Sequence, residues 1–210
     1  MKKLLLTVLI AAMMILPLGT VAMADDKPIT EVSAEPELIY VPGEAPAQNS
    51  VQFMTPALHA VLLAMENQNV LSFTTEDPLM SWEMLYNLLS MYGQMDERAS
   101  YDGELLILPA EAVMDFSAAL FDIPLSPDML PEDLYDRITY HADCDEYRLY
   151  CGSDDLSEVV ITNVRDLGSA LAVSGKLMFV AEEMELASFS ATLSVSDNLF
   201  GYTLTGLDVI

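Results

Sequence analysis

The sequence predicts an α+β domain over residues 51–210, in which about three N-terminal helices pack on one face of a C-terminal antiparallel β-meander of four or five strands. Two observations carry that expectation. Before about residue 137 the apolar residues recur with the roughly 3.6-residue period of a helix, and after it they alternate one in two, as in a half-buried strand. Thr-Pro and Asp-Pro pairs, which start helices, fall in the first half, and turn-forming Asp, Asn and Gly separate the apolar runs of the second.

Two segments of different character stand ahead of this domain. Lys2 and Lys3, an apolar run from Leu4 to Leu18 broken at Pro17, and Ala22-Met23-Ala24 have the layout of an export signal cleaved before Asp25. If retained, residues 4–24 approach the roughly 20 residues that span a bilayer, although Pro17 and Gly19 weaken that reading. No later stretch is as long, so no membrane contact is expected after cleavage. Residues 25–50 carry Pro28, Pro36, Pro42, Pro46 and several acids without a sustained hydrophobic period, and are expected to form a disordered acidic tail.

In the domain, Thr55-Pro56 opens a helix with Leu58, Val61, Leu62 and Met65 on one face, expected to run over 56–67. On that wheel His59 points away from the apolar stripe, toward solvent. Asp77-Pro78 opens a second helix over 78–92, with Trp82, Leu85, Leu89 and Tyr92 as its stripe and Gly93 as its stop. Trp82, Tyr86 and Tyr92 at this spacing are expected in the core. A polar loop containing Asp96-Glu97-Arg98 leads to a short strand over 105–108. A third helix follows from Pro109 to about Phe121, with Val113, Phe116 and Leu120 on one side.

The strands are expected near 138–142, 147–151, 158–164, 171–179, 188–196 and 199–209, turning at Asp166-Leu167-Gly168, Glu182-Glu183 and Asp197-Asn198. In the clearest case Phe189, Ala191, Leu193 and Val195 face inward, while Ser188, Ser190, Thr192, Ser194 and Ser196 form a solvated row. The order of elements over 51–210 is similar in outline to cystatin-like and NTF2-like folds, which implies helices against a curved antiparallel sheet and no function or residue role.

The chain has 33 acidic and 8 basic residues, a net charge of −25. Loss of Lys2 and Lys3 with the leader takes the basic count from 8 to 6 and the net charge from −25 to −27. Such a field repels phosphate backbones and anionic lipid, so no nucleic-acid partner is expected, and cations or basic partners are favoured.

Candidate chemistry is sparse. Cys144 and Cys151 are the only cysteines, and an exported chain with two of them favours a disulfide. An extended strand between them would hold their α-carbons on the order of 20 Å apart, so separate thiols and pairing between chains remain alternatives. His141, Cys144 and Cys151, with Asp143 or His59, match no closed zinc spacing, and Asp143, Asp145 and Asp154 lack the glycine and terminal glutamate of a calcium loop. No metal site or cofactor is expected. His59 and His141 are the only histidines, neither sits in a nucleophile motif, and no serine or cysteine is expected within hydrogen-bond reach of either. No catalytic residue is assigned. The expectation is a secreted or cell-envelope, non-catalytic domain that binds or scaffolds extracellular material through an unidentified envelope or extracellular partner. The alternatives are a small extracellular hydrolase using paired carboxylates and an acidic cation-binding module.

Overall fold

The computed structural model describes residues 48–152 and 156–210, all within one compact unit, Gly43–Ile210. The expectations for the leader, for the tail as far as residue 47 and for Asp154 lie outside the described residues. Residues 48–50, which the sequence placed in the tail, open a 3-10 helix, Gln48–Met54, that runs directly into the first α-helix.

Helix α1 (Thr55–Gln68) has proline in its first turn and ends where Asn69 enters the left-handed region at φ 54°. There the Val70 amide donates back to the Met65 carbonyl at 2.9 Å, satisfying one of the terminal acceptors. Between Ala57 and Met65 every residue except Leu63 is buried, so α1 is enclosed rather than one-sided. Helix α2 (Pro78–Tyr92) is capped by Asp77, whose carboxylate accepts from Leu79 N at 2.9 Å. Its expected stripe of Trp82, Leu85 and Leu89 is buried and Tyr92 half-buried.

The sheet expectation needs correction: there are two four-stranded antiparallel sheets, not one meander. In the first, β1 (Ser100–Asp102) forms a hairpin with β2 (Leu105–Pro109), and the order continues through β4 (Glu146–Tyr150) to β3 (Ile138–His141). A helix, α3 (Ala110–Ser117), lies between β2 and β3 in sequence, in the order expected of the short strand over 105–108, the third helix and the strand near 138. Strand β1 escaped the sequence because all three of its residues are exposed and show no alternation. Trp82 of α2 packs against Tyr147 of β4 with ring centroids 5.9 Å apart and the rings tilted by 39°. At the end of α2, a Cβ on Gly93 would stand 2.9 Å from a Leu108 methyl of β2, so glycine permits the close approach.

The break between sheets falls after Tyr150, where the Gly152 amide donates to the Ser90 carbonyl at 3.1 Å and draws the chain onto the end of α2. The second sheet is the expected up-and-down meander: β5 (Ser157–Asp166), β6 (Ala170–Phe179), β7 (Met184–Val195) and β8 (Tyr202–Val209), paired in that order. Phe189, Ala191 and Leu193 are buried on β7, whereas Val195, expected inward, is 51% exposed at the strand's end. Ser190 and Thr192 are exposed on the opposite face. Beyond β8, residues 71–73 continue the pairing: Phe73 N donates to Leu207 O at 2.7 Å and Val209 N to Leu71 O at 2.8 Å. No helix among the described residues is long and apolar enough to cross a membrane.

Candidate functional site

Among the described residues a cleft of about 640 Å³ lies between the start of α2, the segment after α3, and β8. Its walls follow from local hydrogen bonding. The expected third helix stops at Ser117 rather than Phe121: the next turn tightens, with Ala119 N and Leu120 N donating to Phe116 O and Ser117 O at 3.1 and 3.0 Å, and β8 with the turn before it binds the carbonyls that follow. Thr203 Oγ1 and Asn198 Nδ2 donate to Ala118 O at 2.7 and 2.8 Å, and Leu204 N donates to Ala119 O at 2.9 Å. Ser117 Oγ then accepts from Leu125 N at 3.3 Å and folds residues 120–125 back over the opening. Opposite them, the segment 71–73 leads into Thr74, Thr75 and Glu76, where Thr74 Oγ1 accepts from Glu76 N at 3.2 Å.

The cleft is therefore apolar in body, with Phe73, Phe121, Ile123 and Leu204 among its lining, and acidic at its rim, where Glu76 and Asp122 are both exposed. Among its lining residues none is basic. Ser81, in the first turn of α2, also lines it, and is only 1% exposed. Its backbone N–H is used by Asp77 O, yet its hydroxyl has no hydrogen-bond partner among the described residues. A buried hydroxyl without a partner costs about 1–3 kcal/mol, which a ligand polar group entering the cleft would offset. Sequence reading missed this site. A signal was present, since Ser81 stands at helical spacing with Leu85, Leu88 and Tyr92, a polar residue within an apolar stripe.

The residues singled out from sequence lie elsewhere. Cys144 and Cys151 are free and exposed, at opposite ends of β4, so the intramolecular disulfide is not formed. The extended strand between them sets α-carbons on the order of 20 Å apart, well beyond bridging reach. The Cys144 thiol is held above its ordinary value, first by its hydrogen bond to the Glu146 carboxylate and then by desolvation, which suppresses the reactive thiolate. Cys151 Sγ lies 3.9 Å from Tyr101 Oη. No group of three metal-ligating side chains gathers among the described residues.

His59 overturns two expectations. It is 3% exposed, because α1 is covered on the side opposite its leucine stripe as well. Its Nε2 lies 2.8 Å from Ser157 Oγ on β5 and its Nδ1 lies 2.6 Å from Tyr92 Oη, so a serine does stand within reach. His141 Nε2 meets the Thr139 hydroxyl at 3.2 Å on the surface. The His59 contacts tie α1, α2 and β5 together, and neither His59 nor Ser157 belongs to the lining of the cleft.

No family model matches the chain, and no curated protein matches it.

Proposed function

We propose that the chain is a secreted or cell-envelope, non-catalytic binding domain whose cleft takes a ligand bearing a cationic group on an apolar body, of the kind a partner's lysine or arginine beside a hydrophobic residue supplies. The arrangement of residues 2–24 supports the location. The observation that carries the binding reading is the buried, unpartnered Ser81 hydroxyl at a cleft whose only charged lining residues are Glu76 and Asp122. Apolar walls supply burial, the hydroxyl fixes orientation, and the two carboxylates select the sign of charge.

Calorimetric titration with a short alternating Lys-Leu peptide, and with its Glu-Leu counterpart, tests this reading. The basic peptide is expected to bind and the acidic one not, and E76Q/D122N should weaken the basic peptide at least tenfold. Equal binding of both peptides, or a double variant that binds as the parent does, would overturn it. The alternative, a hydrolase using paired carboxylates, would in this cleft rest on the same two acids. Turnover of a chromogenic glycoside panel, abolished by E76Q or D122N singly, would select that reading instead.

A further inference from the structure

The two edges of the second sheet are finished differently. Along β8 the segment 71–73 pairs with the outer edge, whereas along β5 no described segment pairs on the side away from β6. Strand β5 is ten residues long, and its core-facing apolar residues are incompletely covered. Val159, Ile161 and Val164 are half-buried, while the residues they pair with on β6, Leu177, Gly175 and Val173, are buried. Apart from Ser157, whose hydroxyl meets His59 of α1, the outer side of β5 pairs with no described segment, and an open edge of this kind is a template for another strand.

The pattern of β5 specifies which strand. A bulge at Thr162 shifts the pairing with β6 between Ile161 and Asn163. As a result Val159, Ile161 and Val164 share the core-facing side, and Glu158, Val160, Asn163 and Arg165 share the outer side. If a second β5 runs antiparallel about a two-fold axis at Ile161, Val159 meets Val164, Val160 meets Asn163 and Glu158 meets Arg165 of the other copy. Every pair keeps both members on one face, because each strand places its extra residue beside the axis. Both Glu158–Arg165 pairs join opposite charges across the strands. Sliding the register by two residues in either direction loses both pairs.

Arg165 also stands apart in the ion-pair census. Arg98, Arg137, Arg148 and Lys176 each contact a carboxylate within the molecule. Among the described residues Arg165 is the one Lys or Arg outside such a pair, and it is exposed. On a chain of net charge −25, two copies repel unless their contact matches charges locally. We propose that the protein self-associates through β5, the β5 strands of two copies pairing about Ile161 so that two four-stranded sheets become one continuous sheet, with reciprocal Glu158–Arg165 pairs fixing the register. The proposal is independent of the ligand reading, which concerns the opposite edge.

Sedimentation equilibrium over a concentration series tests it on the protein as purified from cells, with R165E, E158R and the E158R/R165E swap alongside, each checked for parental far-ultraviolet circular dichroism. The parent is expected to dimerise. Either single reversal sets like charges opposite each other twice per interface and should raise the dimer Kd about tenfold or more. The swap recreates both pairs with exchanged sign and should return the Kd to near the parental value. A parent that stays monomeric throughout the series, or a swap as dissociated as the single variants, overturns the proposal.

Discussion

At the scale of single residues, Ser81 and His59 show what burial does to polar groups. The His59 ring sits between the Tyr92 and Ser157 hydroxyls, whereas the Ser81 hydroxyl has no hydrogen-bond partner among the described residues. Replacing Ser81 by Ala removes that desolvated hydroxyl while keeping helix propensity. S81A is therefore expected to raise the unfolding free energy by about 1 kcal/mol, read as a higher urea midpoint at unchanged slope, while weakening ligand binding. A variant that loses stability would show that the hydroxyl already has a partner. His59 was misread because a helical wheel drawn from Leu58, Val61 and Leu62 assigns α1 a single buried face. Ala57, Ala60 and Ala64 sit on its other sides, small enough for close packing, and all three are buried. That small-residue set was the available clue, but which element would pack there depends on tertiary contacts that a one-dimensional period does not encode.

At the scale of elements, both long helices and the strands of the second sheet were legible, because their apolar periods extend over enough residues to be distinctive and their ends carry proline, Asp or glycine. The division into two sheets was not. Strands β3 and β4 alternate as any half-buried strand does, and the strand that joins them to the first sheet, β2 against β4, lies on the far side of α3 in sequence. Within the second sheet one close approach is decisive. A Cβ on Gly175 of β6 would lie 2.6 Å from the Val160 carbonyl oxygen and 2.7 Å from the Phe189 ring, so the aromatic ring covers the glycine backbone. G175A is expected to destabilise the domain by about 1–3 kcal/mol through overpacking. Gly206, two strands away on β8, meets nothing within 4 Å of an added Cβ, and G206A should be near neutral in the same thermal-melt comparison. Equal effects at the two glycines would mean that β6 can shift to accept the methyl.

At the scale of the whole domain, composition conveyed the acidity and the expected sign of a partner's charge, but the cleft was not legible. Its lining comes from residues 73–81, 120–129 and 204–205, segments far apart in sequence that meet only because Ala118 and Ala119 are held by β8 and its turn. The segment at 71–73 belongs to two structures at once. It completes the pairing along β8, and through Phe73 it becomes a wall of the cleft. Loosening it exposes a row of unpaired strand groups, the kind of edge from which proteins stick to one another. A molecule seated in the cleft would hold that seam shut, lowering the frequency of local opening in proportion to occupancy. Deuterium uptake at the Phe73 and Val209 amides should slow when the Lys-Leu peptide is bound and stay unchanged with the Glu-Leu peptide. Uptake at these two amides that ignores the basic peptide would uncouple the seam from the cleft. Where the two are coupled, occupancy acts as a guard against aggregation, and the empty protein, rather than the loaded one, is the form prone to aggregate.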